Sequence, residues 1–263
     1  MQLNKDICEI ISNYIYKSSV KYELLDWIDI DKLNWDLLSS NPNAIQLLSE
    51  NKEKIQWYLL SSNPNAINLL KDNPSKIDWY FIAKNTSAIE IINDNIYKIS
   101  WYVLSANPNA IELLLQNPDK IYWKQFSTNQ NSISYLKNNI DKIFWHQLSA
   151  NLNAIDLLKD NQDKIDWVAL SSNPNAINFL KDNPDKIDWN VLSINPSAID
   201  LLKNNPDKID WHLLSQNPNA IDLLKNNPDK IDWDYISLNP SIFKEIKEDN
   251  LELVKRTLEI ILM

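Results

Sequence analysis

The residues able to do chemistry are few and badly spaced for it. Two imidazoles, His146 and His212, and one thiol, Cys8, are all the chain provides for nucleophilic attack or soft-metal ligation. Both histidines directly follow a tryptophan in a frame of fixed period, but they stand three periods apart. At ~10 Å per packed helical layer, that separation exceeds the reach of a shared metal ion, and a single cysteine cannot complete a zinc set. The chain has no glycine, which removes the usual phosphate loop, dinucleotide fingerprint and nucleophile elbow. Its 35 aspartates and glutamates recur in register, so no pair is set apart from its copies as general acid and base. The expectation is a non-enzymatic protein with no cofactor and no metal site.

What remains is recognition by a surface. Tyr58, Tyr80 and Tyr102 each follow a tryptophan, and His146 occupies the same column further on. Tyr97, Tyr122 and Phe144 stand where other copies carry Asp or Ser. Tyrosine is enriched in interaction patches, so these seven residues are the candidate partner-binding set; the competing reading is drift, with rings covering apolar surface. Two further columns invite a polyanion. Regularly spaced tryptophans can stack bases, yet each shares a helical face with an apolar residue three positions on, such as Leu38 or Leu60. That pattern predicts a core column whose indole N–H bonds a backbone carbonyl. The lysines Lys54, Lys76, Lys98 and onward to Lys230 could track phosphates, but an acidic neighbour in seven of nine copies predicts a solvated face of weak pairs. With a net charge of −9 and no basic stripe, nucleic acid is not the expected partner.

These side chains are positioned by a repeat. Trp35, Trp57, Trp79, Trp101, Trp123, Trp145, Trp167, Trp189, Trp211 and Trp233 are 22 residues apart with no insertion. A copy this short cannot bury its own apolar face and must stack on its neighbours. Counting the tryptophan as position zero, a first helix starts there, capped by Asp78, Asp166, Asp188, Asp210, Asp232 or Ser100 just before it, and lasts about two turns. Where Tyr122 and Phe144 replace the cap, Gln125 and Gln147 could reach back to the cap N–H. Position six is Asn in all ten copies, followed by Pro in seven, a start signal for a second helix. That helix carries an Ala-Ile…Leu-Leu stripe and ends at Asp or Asn, which tolerates a left-handed cap. A second Asn column and a Pro-Asp-Lys-Ile turn close the copy. Trp79, Trp101, Asn107, Asn117 and Ile111 typify the structural skeleton, with the asparagines capping helices and laddering along the backbone.

The sequence therefore predicts an all-α fold: an α-solenoid of stacked 22-residue repeats, each of two short helices, with capping helices at both ends. Residues 1–34 form the N-terminal cap, with an amphipathic helix from Leu3 to Ile15 and a degenerate half-copy at Asp31-Lys32-Leu33. Residues 35–243 form the solenoid, nine full copies and a partial tenth, and residues 244–263 a C-terminal capping helix. Its greasy end, Glu-Ile-Ile-Leu-Met, either folds back or makes a homo-oligomer contact. No apolar run approaches the ~20 residues of a membrane span, no leader pattern is present, and a lone cysteine suits a reducing compartment. We expect an intracellular, cytoplasmic protein.

Asn-Pro-Asn-Ala-Ile and Pro-Asp-Lys-Ile-Asp-Trp occur together in one fixed frame, as in residues 173–189 and 217–233. Over about residues 35–243 the chain resembles short helical-repeat proteins of giant nucleocytoplasmic large DNA viruses. Residues 85–89 and 129–133 depart from the motif without breaking the frame. The resemblance implies a viral origin and action in a host cell, and brings no catalytic residues. The expected function is a protein-interaction scaffold that binds a host or viral protein along its repeated surface. A structural or self-assembling role is the first alternative, and nucleic-acid binding through a per-repeat surface the second.

Overall fold

The computed structural model describes residues 21–246. The expected helix at 3–15 and residues 247–263 of the expected C-terminal helix lie outside that range. Contacts divide the chain into two bodies. One is the repeat array, Asp29–Ser241; the other holds the residues on either side of it.

Each repeat is built from four short pieces. In the seventh, a helix at Trp167–Ser171 is followed by a 3-10 turn at Pro174–Ala176, a helix at Ile177–Lys181 and a 3-10 turn at Pro184–Lys186. The two expected helices are present, but the first spans little more than one turn. Its caps are those the sequence predicts: the side chains of Asp78, Ser100, Asp166, Asp188, Asp210 and Asp232 accept N–H groups of the first turn, and Asn34 does the same before Trp35.

The core is narrower than the apolar stripe suggests. Position three (Leu38 through Ile236), position nine (mostly Ala) and position thirteen (mostly Leu) are fully buried. The tryptophans are only half-buried, and among the described residues their indole N–H groups find no protein acceptor. This corrects the expected Trp core. Instead the lysine at position nineteen lies across the indole: Lys54 Nζ is 4.0 Å from the Trp35 ring centroid, and seven such pairs recur around the array. Only Lys120 and Lys186 turn to the flanking aspartate. An indole face attracts an ammonium, whereas an exposed Lys–Asp pair gains little.

Buried polar groups also join the repeats. Nine serines at position four are fully buried; each Oγ donates to the Trp carbonyl of its own helix and accepts the N–H of the residue before the next Trp, as Ser149 does from Asp166 at 3.0 Å. This relay makes the proposed Gln125 and Gln147 back-bonds unnecessary, because the Tyr122 and Phe144 N–H groups already reach Ser105 and Ser127. The exception is Ala83, which has no hydroxyl to offer Ser100, and there the first helix tightens into a 3-10 turn at Ile82–Lys84.

The asparagine at position six is the main joint. The Asn151 side-chain amide donates to the carbonyls of Ser127 and Asn129 in the preceding repeat, at 3.0 and 2.8 Å, while its oxygen accepts the Asn153 N–H. Asn107 is likewise buried and joined to Ala83 and Asn85. Asn117 caps its own second helix by donating to the Leu113 carbonyl. No described residue has a positive φ, so the expected left-handed cap is not used. The chain turns instead at residues such as Asn117, with φ −130° and ψ 61°, a conformation any L-residue can take. That is why the absence of glycine costs this fold nothing.

The array closes on itself. The Asn41 amide donates to the Ser237 and Asn239 carbonyls, both at 3.0 Å, and Asn43 donates to the Pro240 carbonyl. Those are the bonds that Asn63 and Asn65 make to the first repeat. The Asn34 N–H meets Ser237 Oγ, and Lys32 lies 4.9 Å over the Trp233 ring. So Asp29–Asn34 and Trp233–Ser241 are two parts of one tenth repeat, and the ten repeats form a ring. Residues 29–34 are thus a structural half-repeat whose partner lies about 200 residues away, not a cap that faces water.

In the other body, Lys21–Leu24 and Phe243–Ile246 form an antiparallel strand pair with Lys21 opposite Ile246 and Leu24 opposite Phe243. Residues 244–246 are therefore strand where helix was expected. The Leu25 N–H extends the ladder to the Ile242 carbonyl at 2.9 Å. Lys244 sits between Glu23, at 2.7 Å, and Asp26, at 3.5 Å, and the bond to Glu23 together with both carboxylates raises its ammonium above the usual lysine range.

Candidate functional site: an aromatic sector of the ring

Three columns meet where neighbouring repeats adjoin. A residue at position one touches position twenty-one of its own repeat and position two of the next. His146 Nδ1 lies 2.7 Å from Asp166 Oδ2, Asn34 binds Asp234, and His212 contacts both Asp232 and the Tyr235 ring, 3.7 Å between centroids. The cause is local. Position one is the first residue of the first helix to point away from the core, and position twenty-one is the cap of the helix beside it.

On repeats two to six these columns are aromatic. Tyr58 packs edge-on against Phe81, with centroids 5.1 Å apart, and Tyr80 meets the same ring at 5.4 Å. Lys84 Nζ lies over the Phe81 ring, 5.2 Å from its centroid. Tyr102 packs edge-on against Tyr122 at 5.5 Å, and its hydroxyl accepts from the Gln125 amide. Phe144 takes Tyr122's place one repeat on, and His146 ends the run. Tyr58, Tyr80, Tyr102, Tyr122 and Phe144 keep between 39% and 50% of their surface exposed.

Of the seven candidates, then, six lie in these columns: Tyr58, Tyr80, Tyr102, Tyr122, Phe144 and His146. Tyr97 does not join them; it is 79% exposed and lies against Lys98, which also covers Trp79. Phe81, Lys84 and Gln125 belong to the sector and are not among the candidate binding residues read from the sequence, where Gln125 was expected only as a cap. The available signal was their position two or five, next to the tyrosine column only once the repeats are stacked. Among the skeleton residues, Asn107 is buried, while Trp79, Trp101, Asn117 and Ile111 are half-buried.

On the other repeats these columns are acidic. Positions one, two and twenty-one of repeats seven to ten and one carry Asp188, Asp210, Asp232, Asp234 and Asp36, with no lysine or arginine. In the aromatic sector the same columns carry Lys124, Asp78, which accepts the Tyr80 and Phe81 N–H groups within the first cluster, and Asp166 at the far end. Partial burial pushes the Asp166 carboxyl up, but the Ala169 N–H, His146 and the Val168 N–H outweigh it and hold it below the usual carboxylate range; Asp232 is held down in the same way by Tyr235, His212 and Asp234. Among the described residues no three His, Cys, Asp or Glu side chains gather closely enough to hold a metal ion, and no helix is long and apolar enough to cross a membrane. Set beside known protein families, curated proteins and solved structures, the chain matches none.

Proposed function

We propose that this protein is a non-enzymatic, ring-shaped interaction scaffold that binds a protein partner through its aromatic sector. One observation carries the reading: Tyr58, Phe81, Tyr80, Tyr102 and Tyr122 form packed, half-exposed ring contacts across consecutive repeats. Tyrosine supplies large contact area with few rotamers to freeze, which is why such clusters act as anchors in protein interfaces. The ring behind them is stiff, since the buried asparagines and serines satisfy the backbone between repeats. A partner would therefore meet a preformed surface and spend little on ordering it.

The resemblance to repeat proteins of large DNA viruses points to a eukaryotic cell as the place of action. The experiment compares capture from a eukaryotic lysate by the parent and by a Tyr58→Ser/Tyr80→Ser/Tyr102→Ser variant with unchanged circular dichroism and urea midpoint. A protein held by the parent and lost by the variant is the expected result. Capture of the same protein by both would remove the aromatic sector from the proposal.

A further inference from the structure

We infer that the aromatic sector binds a proline-rich segment in the polyproline II conformation, one turn of the segment per repeat, with an acidic residue of the segment at Lys124. The inference rests on the reading of that sector as a protein-docking surface, and it names the chemistry of the partner.

Tyr58 and Tyr80 both touch Phe81, at 5.1 and 5.4 Å between centroids, so their rings stand no further apart than about 10 Å, one packed helical layer. A polyproline II chain advances ~3.1 Å per residue and turns once every three, so one of its faces returns every ~9 Å. Successive turns of such a chain meet Tyr58, Tyr80, Tyr102 and Lys124 in order, position one of repeats two to five. An α-helix also returns a face at about this interval, after about seven residues.

The tyrosine hydroxyls decide between the two. Among the described residues those of Tyr58 and Tyr80 have no partner, and that of Tyr102 accepts from Gln125, leaving its own proton to donate. A polyproline II chain makes no internal hydrogen bonds and offers its carbonyls to such donors, whereas an α-helix has already used its own. Proline rings suit aromatic-lined surfaces, and a chain pre-set in one conformation loses little entropy on docking.

Charge sets the flank of the segment. The carboxylates of the sector are engaged within the fold, Asp78 with the Tyr80 and Phe81 N–H groups and Asp166 with the Ala169 N–H and His146. Lys124 is exposed and has no partner among the described residues. In repeats seven to ten and one, the same columns carry carboxylates and no lysine or arginine. An acidic segment is therefore turned away there and accepted here.

Calorimetric titration of the full chain with synthetic peptides provides the test. A run of about ten prolines spans Tyr58 to Lys124. The probes are that run preceded or followed by a pair of glutamates, the same run with lysines instead, and a glutamate-bearing, alanine-rich helical peptide. Saturable, sub-millimolar binding of at least one glutamate–proline peptide is expected, about tenfold tighter than the lysine–proline and helical peptides. Tyr58→Phe/Tyr80→Phe removes two hydroxyls and no ring, and is expected to weaken binding about tenfold. Those hydroxyls have no partner among the described residues, so the urea midpoint should not move. Lys124→Glu is expected to invert the preference between glutamate and lysine flanks.

Failure of both glutamate–proline peptides to saturate the protein overturns the proposal. So does equal binding of the helical peptide, a Tyr58→Phe/Tyr80→Phe variant that binds as the parent does, or a flank preference indifferent to Lys124→Glu. The outcomes separate this inference from the scaffold reading. A parent that binds no proline peptide but still captures a protein through Tyr58, Tyr80 and Tyr102 keeps the scaffold and loses only this occupant. A parent that does neither removes both.

Discussion

If the ten repeats form a ring, Asn41 should matter as much as Asn151. In an open array Asn41 would belong to the first repeat, with nothing before it to bind. Its amide would face water, and Asn41→Ala would lose only the local bond to the Asn43 N–H, a helix cap contributing about 1 kcal/mol. In the ring, Asn41 donates to the Ser237 and Asn239 carbonyls at 3.0 Å each, as Asn151 does to Ser127 and Asn129. Both residues are about 1% exposed. Two neutral hydrogen bonds contribute about 1 kcal/mol each, and stranding a buried carbonyl costs a further ~1–2 kcal/mol. The asparagine carbonyl keeps a second donor, the N–H at position nine, as in Ser132 to Asn129, so only the serine carbonyl is stranded. The expected loss is about 4–5 kcal/mol for either substitution. Urea unfolding, followed by circular dichroism and extrapolated linearly to water, measures both. Equal losses within about 0.5 kcal/mol, the usual scatter of independent sites, support closure. An Asn41→Ala loss near 1 kcal/mol beside a large Asn151→Ala loss would refute it.

Two further predictions concern the joints between repeats. Ala83→Ser supplies the one missing hydroxyl, which should donate to the Trp79 carbonyl and accept the Ser100 N–H; a gain of about 1 kcal/mol is expected, read as a higher urea midpoint, and a loss would mean that the 3-10 turn at Ile82–Lys84 cannot accept the serine geometry. Asp166 and Asp232 are held below their unfolded acidity, so their stabilising effect is complete above about pH 4, the unfolded carboxylate value, and is lost as pH falls through the lower folded value. The stability gap between the parent and an Asp166→Asn/Asp232→Asn variant should therefore shrink as acid unfolding proceeds, and a gap that widened with acidity would contradict the assignment.

Which parts of this architecture were legible in the sequence follows from what a repeat encodes. The Trp35-to-Trp233 period, the aspartate caps and the buried Leu and Ala columns are neighbour-to-neighbour features, and residue type at fixed spacing reveals them. Closure is different. It depends on a small rotation at each joint adding up to a full turn after ten joints, and no single side chain encodes that sum. The clue lay in Asp31-Lys32-Leu33, which matches the later Asp-Lys-Ile but reads equally as a worn end-cap. The Trp column was misassigned because helical periodicity reports a shared face, not depth; with Leu at position three filling the interior, the larger indole is left at its edge under a lysine. Tyr58, Tyr80 and Tyr102 were legible as a column. Their merger with Phe81 and Lys84 was not, because it needs the neighbouring repeat.

The split tenth repeat also sets a timetable. Each of the other nine joints can form as soon as the next 22 residues leave the ribosome. The bond between Asn34 and Ser237 spans 203 residues, and at ~5–20 residues per second its second half arrives some ~10–40 s after the first. Throughout that wait the growing arc presents an unfilled end to any neighbouring nascent arc, whose own end has the same shape and the same hydrogen-bonding groups. Chains translated side by side on one messenger are thus exposed to mispairing that a dilute refolding solution never tests, and crowding of ribosomes becomes a variable in whether each ring closes on itself.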